Sequence, residues 1–269
     1  SATAVNYVRL NPIGKPVKKN DNSLALIVGI SEYENTPIRA VFADSDAMMF
    51  RDYASEKLGI PDSRIKTMVN DNADIRELLL SVKNWLSRSV KQNQSDVYIF
   101  FAGHGLATID GEELYLLPYD GEPRLLEDTA LLRSEIFETL ELIKPKSVTI
   151  FLDACYSGQS REKEMIIADA RPITIVPLES TVPKNFTVFS ASSGSEISGS
   201  LPEADHGLFS YFLMKGLEGN ADANNDKKIT VGELHAFVRL NVTKQAVRLG
   251  REQTPQLQGD ENRVLVKFN

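Results

Sequence analysis

The sequence predicts an α/β fold, a mostly parallel sheet covered by helices on both faces. Three observations carry this. Four continuous apolar runs of strand length, residues 24–30 (LALIVGI), 97–102 (VYIFFA), 147–153 (SVTIFLD) and 186–190 (FTVFS), read as strands buried on both faces. Segments with helical spacing lie between them, and a strand–helix–strand order implies right-handed crossovers and parallel pairing. The composition, 42% hydrophobic and 25% charged over 269 residues, is that of an ordinary globular chain and excludes disorder, collagen and a coiled coil.

The elements follow in order. Residues 1–22 hold Pro12, Gly14 and Pro16 and then the polar run Lys18, Lys19, Asn20, Asp21 and Asn22, which reads as a linker or pro-segment. After the first strand, residues 41–58 place Phe42, Met49, Tyr53 and Leu58 near one helical face. A short strand at 65–69 ends in the turn Asn70-Asp71-Asn72. Residues 74–90 form a helix whose apolar face is Ile75, Leu78, Leu79, Val82, Trp85 and Leu86. The second buried strand ends at Gly103-His104-Gly105, and a short strand covers 114–117. A helix over 133–143 is closed by Pro145. The third buried strand runs into Cys155, and the fourth is 186–190. Helices over 208–217 and 234–249 and a final strand over 264–268 complete the chain.

Charge and cysteine usage narrow the function. With 30 basic and 37 acidic residues the net charge is -7, which argues against a sequence-independent grip on nucleic acid or an anionic membrane surface. No apolar run approaches the roughly 18 residues of a membrane helix. The single cysteine, Cys155, makes no intramolecular disulfide, so oxidising secretion gains no support and a cytoplasmic location is the expectation.

In an open parallel sheet, ligands bind beyond the carboxyl ends of the strands. His104 and Cys155 each stand just past such an end. An imidazole beside a thiol makes a usable nucleophile and then protonates the leaving amine. Glycines on either side of His104 allow close backbone approach, and the Gly105 and Cys155 amides are the natural oxyanion donors. Taken singly, a cysteine after an apolar strand is core filling and a histidine structural. Their coincidence at two strand ends of one sheet is a rarer arrangement, and from spacing alone it leaves catalysis and the structural roles as open alternatives.

The residues also resemble a family. Phe100-Phe101-Ala102-Gly103-His104-Gly105 and Asp153-Ala154-Cys155-Tyr156-Ser157-Gly158 look like the histidine and cysteine motifs of the caspase-like cysteine peptidases, and the 51-residue separation of the dyad is close to the roughly 50 residues expected there. Phe189-Ser190-Ala191-Ser192, His206-Gly207-Leu208-Phe209-Ser210 and Gln253-Thr254-Pro255-Gln256 resemble the small-subunit part. The resemblance covers about residues 23–268. It implies a three-layer caspase-like sandwich on a six-stranded, mostly parallel sheet. Its parts would be a large-subunit-like portion 23–160, a linker 161–185 and a small-subunit-like portion 186–269. It implies a metacaspase-like or orthocaspase-type cysteine endopeptidase acting on protein substrates. Where caspases keep a glutamine and arginines for aspartate, the resemblance puts Asp153 and Asp44, with Ser190 beside them, and no arginine follows the 186–190 strand. Two carboxylates repel aspartate and attract arginine or lysine. Asp44 equally suits a helix N-terminus, and Asp46 competes for its role.

About thirty residues separate Cys155 from the 186–190 strand, and they carry Arg161, Lys163, Arg171 and Lys184. Family members are often cut there, so autoprocessing is an expectation, with an uncut surface loop as the alternative. Asp222, Asn224, Asp226 and Glu233 fit an EF-hand-like calcium loop, although Lys227 stands where glycine belongs. Thr230 and Glu233 read equally as a capping box without metal. Calcium as activator is a family expectation at another acidic site. Asp110, Glu112, Glu113, Asp120, Glu127, Asp128 and Glu162 depart from that site's spacing. No cofactor is required for the chemistry itself. A catalytically silent scaffold and a calcium-responsive interaction module are the rivals to the peptidase.

Overall fold

Residues 7–108, 113–155, 166, 182–194 and 196–269 are described in a computed structural model. In chain order the elements are β1 (Leu24–Gly29), α1 (Ala43–Glu56), β2 (Ile65–Val69) and α2 (Ile75–Leu80), which passes through a wide turn at Ser81–Trp85 into α3 (Leu86–Ser89). Next come β3 (Asp96–Ala102), β4 (Gly105–Ala107), β5 (Leu114–Leu116), α4 (Leu126–Thr129), β6 (Leu131–Leu132), α5 (Arg133–Ile143) and β7 (Ser147–Asp153). The remainder is β8 (Phe186–Ser190), β9 (Ser200–Leu201), β10 (His206–Gly207), α6 (Leu208–Lys215), β11 (Lys228–Thr230), α7 (Val231–Arg248), β12 (Gln256–Gln258) and β13 (Val264–Lys267).

The apolar runs do what their composition requires. All residues of β1 and β7 are buried, so these strands must be covered on both faces. The six-stranded sheet has the order β12-β8-β7-β3-β1-β2, parallel except for β12, which pairs antiparallel with β8. Successive side chains point to opposite faces of a strand. Phe100, Phe151 and Phe189 stand opposite one another in register and share a face. There Phe50 of α1 stacks on Phe100 with centroids 4.4 Å apart, and Phe189 meets His235 of α7. Phe186, an odd number of residues from Phe189, faces the other way and meets Phe137 of α5 at 6.1 Å. Helices on both faces give the three layers. Gly29 is a close-approach position: a Cβ there would stand 2.3 Å from the Ala43 carbonyl oxygen, so glycine lets α1 lie on β1.

Some elements differ from expectation. The sixth strand of the sheet is Gln256–Gln258, a short and half-polar segment without a strand signature. The strand expected over 264–268 is present as β13 but pairs with β11, outside the main sheet. The strand expected over 114–117 is β5, in a separate antiparallel sheet with β4 and β6. Residues 7–22, within the segment read as a linker or pro-segment, lie against the domain. Leu10 is buried, Tyr211 donates to the Val8 carbonyl at 2.6 Å, and Glu218 accepts from Asn11 N–H at 2.7 Å, Tyr53 OH at 2.5 Å and Lys215 Nζ at 2.5 Å. Burial, followed by the Glu218 hydrogen bond, pushes the Tyr53 phenol far above its ordinary pKa, which keeps it a donor.

Candidate active site

β3 and β7 run parallel with Ala102 opposite Asp153. Gly103 N–H then donates to the Asp153 carbonyl at 3.3 Å. His104 and Cys155 each lie two residues past this last pair, so the register sets them at the same level beyond adjacent strands. Both are buried, at 3% and 5% exposure.

His104 is held from several sides. Its N–H donates to Tyr33 OH at 2.7 Å, and that hydroxyl donates to the Ile30 carbonyl at 3.1 Å. The two rings stack with centroids 4.6 Å apart. Nε2 lies 2.9 Å from the Ile38 carbonyl. A carbonyl only accepts, so this partner assigns the ring hydrogen to Nε2 and leaves Nδ1 as the basic nitrogen. Ile38 O thus fixes the orientation of the ring from the side of Nε2. A backbone carbonyl has no residue type, so nothing in the sequence could have announced it. Gly103 is required by close approach, because a Cβ there would stand 2.7 Å from Tyr33 OH. Tyr33→Phe keeps the stack and deletes the hydroxyl bridge. It is expected to lower kcat by about tenfold with KM little changed, as the cost of one unsatisfied buried donor at the histidine. Steady-state kinetics on one peptide would check it, and an unchanged kcat would remove the bridge from the mechanism.

Cys155 Sγ accepts the Ser198 N–H at 2.7 Å, and its S–H donates to the Ser198 carbonyl at 3.7 Å. Gly105 opens β4. The His104 carbonyl accepts Leu117 N–H, so by alternation the Gly105–Leu116 pair is a non-bonded one and the Gly105 N–H points away from β5.

Asp153 is fully buried. Its Oδ1 accepts Ser198 Oγ–H and its Oδ2 accepts Ser210 Oγ–H, each at 2.5 Å. Ser198 therefore touches both the sulfur and the carboxylate. Gln253 braces this segment, accepting Gly199 N–H at 3.0 Å and donating to the Ala191 carbonyl at 3.0 Å. Ser190 is half-buried at the end of β8, opposite Leu152. Asp44 is half-buried in the first turn of α1 and accepts from Ser45 N–H at 2.9 Å and Asn70 Nδ2 at 3.2 Å. Asp46, one half-turn on, is the acid that α1 buries, against His206 and Gly207.

The Asp222 loop closes on itself. Asp222 accepts the Asp226 and Lys227 amides, and Asn224 Oδ1 accepts that of Asp226. Asp226 Oδ1 accepts the Lys228 amide. Glu233 Oε2 accepts Thr230 N–H and Oγ1–H in a complete capping box. Among the described residues, no three His, Cys, Asp or Glu side chains are grouped to hold a metal ion. The residues as placed serve the loop and the helix cap. Tyr156–Gly158 of the cysteine motif, Arg161, Lys163 and Arg171 of the linker, and Asp110, Glu112 and Glu162 lie outside the described residues.

The caspase domain family model matches residues 22–266. The chain belongs to the caspase domain family. That family is one of cysteine peptidases acting on proteins. Two solved structures share the fold. Protein GSU0716 from Geobacter sulfurreducens has 14% identity and a TM-score of 0.59, covering 89% of this chain and 94% of its own. Caspase-1 from Spodoptera frugiperda has 14% identity and a TM-score of 0.58, covering 98% of this chain and 99% of its own. No curated protein matches the chain. The caspase-like fold accounts for the six-stranded, mostly parallel sheet and the helices on it. No described helix is long and apolar enough to cross a membrane.

Proposed function

We propose that this caspase domain is a cysteine endopeptidase that cleaves proteins after arginine or lysine through His104 and Cys155. The observation that carries it is the in-register exit of β3 and β7, which sets an imidazole whose Nε2 meets a carbonyl and a thiol that meets an amide N–H at the carboxyl end of one sheet. In the first step the Cys155 proton passes to His104, and Sγ attacks the scissile carbonyl carbon. The Gly105 and Cys155 amides hold the oxyanion. As the carbon–nitrogen bond breaks, His104 gives its proton to the leaving amine and a thioester remains. Water, deprotonated by His104, then releases the acid and restores the thiol.

The basic preference rests on Asp153, a buried carboxylate one residue before Ala154 and two before the nucleophile, with Asp44 as the second acid and Ser190 nearby. A desolvated carboxylate selects a cation strongly. Arg161, Lys163, Arg171 and Lys184 would make the linker a substrate for the enzyme itself. Matched fluorogenic peptides ending in Arg, Lys or Asp test the reading. Cleavage after Arg and Lys is expected to exceed cleavage after Asp by about 10²-fold or more. Faster cleavage after Asp would overturn it.

A further inference from the structure

We infer that Asp46 and His206 form a clasp that positions both serine partners of Asp153, and so act as positioning residues for recognition of the basic side chain. This rests on the peptidase reading of Asp153. Asp46 is fully buried and His206 is 8% exposed. Asp46 Oδ1 lies 2.8 Å from His206 Nδ1, and its two oxygens accept the Gly207 N–H at 3.1 and 3.0 Å. These partners are the two residues of β10, which pairs with β9 so that His206 faces Leu201 and Gly207 faces Ser200.

The clasp sits at the neck of a loop with two limbs. Just before β9 comes Ser198, whose hydroxyl reaches Asp153 Oδ1. Just after β10, in the first turn of α6, comes Ser210, whose hydroxyl reaches Oδ2. Leu208 N–H donates to the Gly199 carbonyl at 2.9 Å and draws the limbs together. One carboxylate on α1 thus fixes the base of the segment that delivers both hydroxyls to a second carboxylate on β7. Gln253 and Arg251 brace the Ser198 side, at Gly199 and Ser200. Burying a carboxylate without partners is strongly unfavourable, and an apolar pair of the same volume would often be as stable. The polar pair is therefore explained by the register it imposes and not by the stability it adds.

The test uses the full chain, with Asp46→Ala, Asp46→Asn and His206→Ala. Kinetics are measured on two peptides that differ only in ending with arginine or with its neutral isostere citrulline. Asp46→Ala is expected to lose about tenfold or more in kcat/KM on the arginine peptide, mainly through KM, with the citrulline peptide hardly affected. Asp46→Asn, which keeps an acceptor for Gly207, should recover much of the loss. Hydrogen exchange of the amides at 198–210 should speed up in Asp46→Ala while those of β1, β3 and β7 stay protected. Equal losses on both peptides, or a loss confined to kcat, would overturn the clasp. Should Asp46→Ala not fold, His206→Ala carries the same comparison, because it leaves the Gly207 bonds in place. A parent that cleaves neither peptide would defeat the peptidase reading alone. Exchange at 198–210 then decides the clasp, faster exchange in the variant supporting it and unchanged exchange overturning it.

Discussion

Replacing Cys155 by alanine is expected to cut hydrolysis of an arginine-ending peptide by at least about 10⁴-fold, the scale on which a covalent nucleophile is lost. The chain has one cysteine, so no other thiol can take over. The substitution removes a single buried heavy atom two residues beyond the end of β7. It leaves the Ser198 N–H without its sulfur acceptor, a cost of about 1–3 kcal/mol in stability. Activity and folding should therefore separate cleanly in a parallel thermal melt. A peptide chloromethyl ketone should label the parent and not the variant. Equal rates for parent and Cys155→Ala would end the peptidase proposal, and labelling of the parent without turnover would favour the silent scaffold.

Asp153→Asn is the second large effect. Asparagine matches aspartate in size, and the serine hydroxyls can turn to suit an amide, so the packing around residue 153 is kept. What is lost is the charge. Cleavage after arginine is expected to fall by about 10²-fold or more, because a guanidinium would enter a buried pocket without its counter-ion. Cleavage after an uncharged residue should fall far less, so the ratio of the two rates carries the result. An Asp153→Asn enzyme that kept the parent's preference for arginine would move the specificity role elsewhere, with Asp44 the first place to look.

The strands that build the site were legible because burial on both faces leaves an unmistakable apolar run, as in residues 24–30 and 147–153. His104 and Cys155 could be singled out because the chemistry proposed for them needs particular residue types at strand ends, and the register of β3 and β7 sets both just past those ends. β12 was not, since an edge strand of three residues, Gln256–Gln258, has one covered face and is placed by pairing with β8. The competition between Asp44 and Asp46 could not be resolved from spacing either. Two residues turn a helix by about 200°, so once α1 starts at Ala43 one acid faces the interior and the other the rim. Which one is buried depends on the rotation of α1 about its axis, a tertiary property. The Ile38 carbonyl and the hydroxyl pair on Asp153 are likewise products of assembly.

Ser198 bonds at once to the nucleophile's sulfur and to the carboxylate proposed to read the substrate. On that reading, a guanidinium arriving at Asp153 is felt by Ser198, and through Ser198 by Cys155. Occupying the carboxylate and changing the reactivity of the sulfur become two halves of one thermodynamic cycle. Whatever factor a bound cation adds to the reaction of the sulfur, alkylating the sulfur must return to cation affinity. Selectivity would then be exerted twice, once in holding the right side chain and once in setting the nucleophile that it meets.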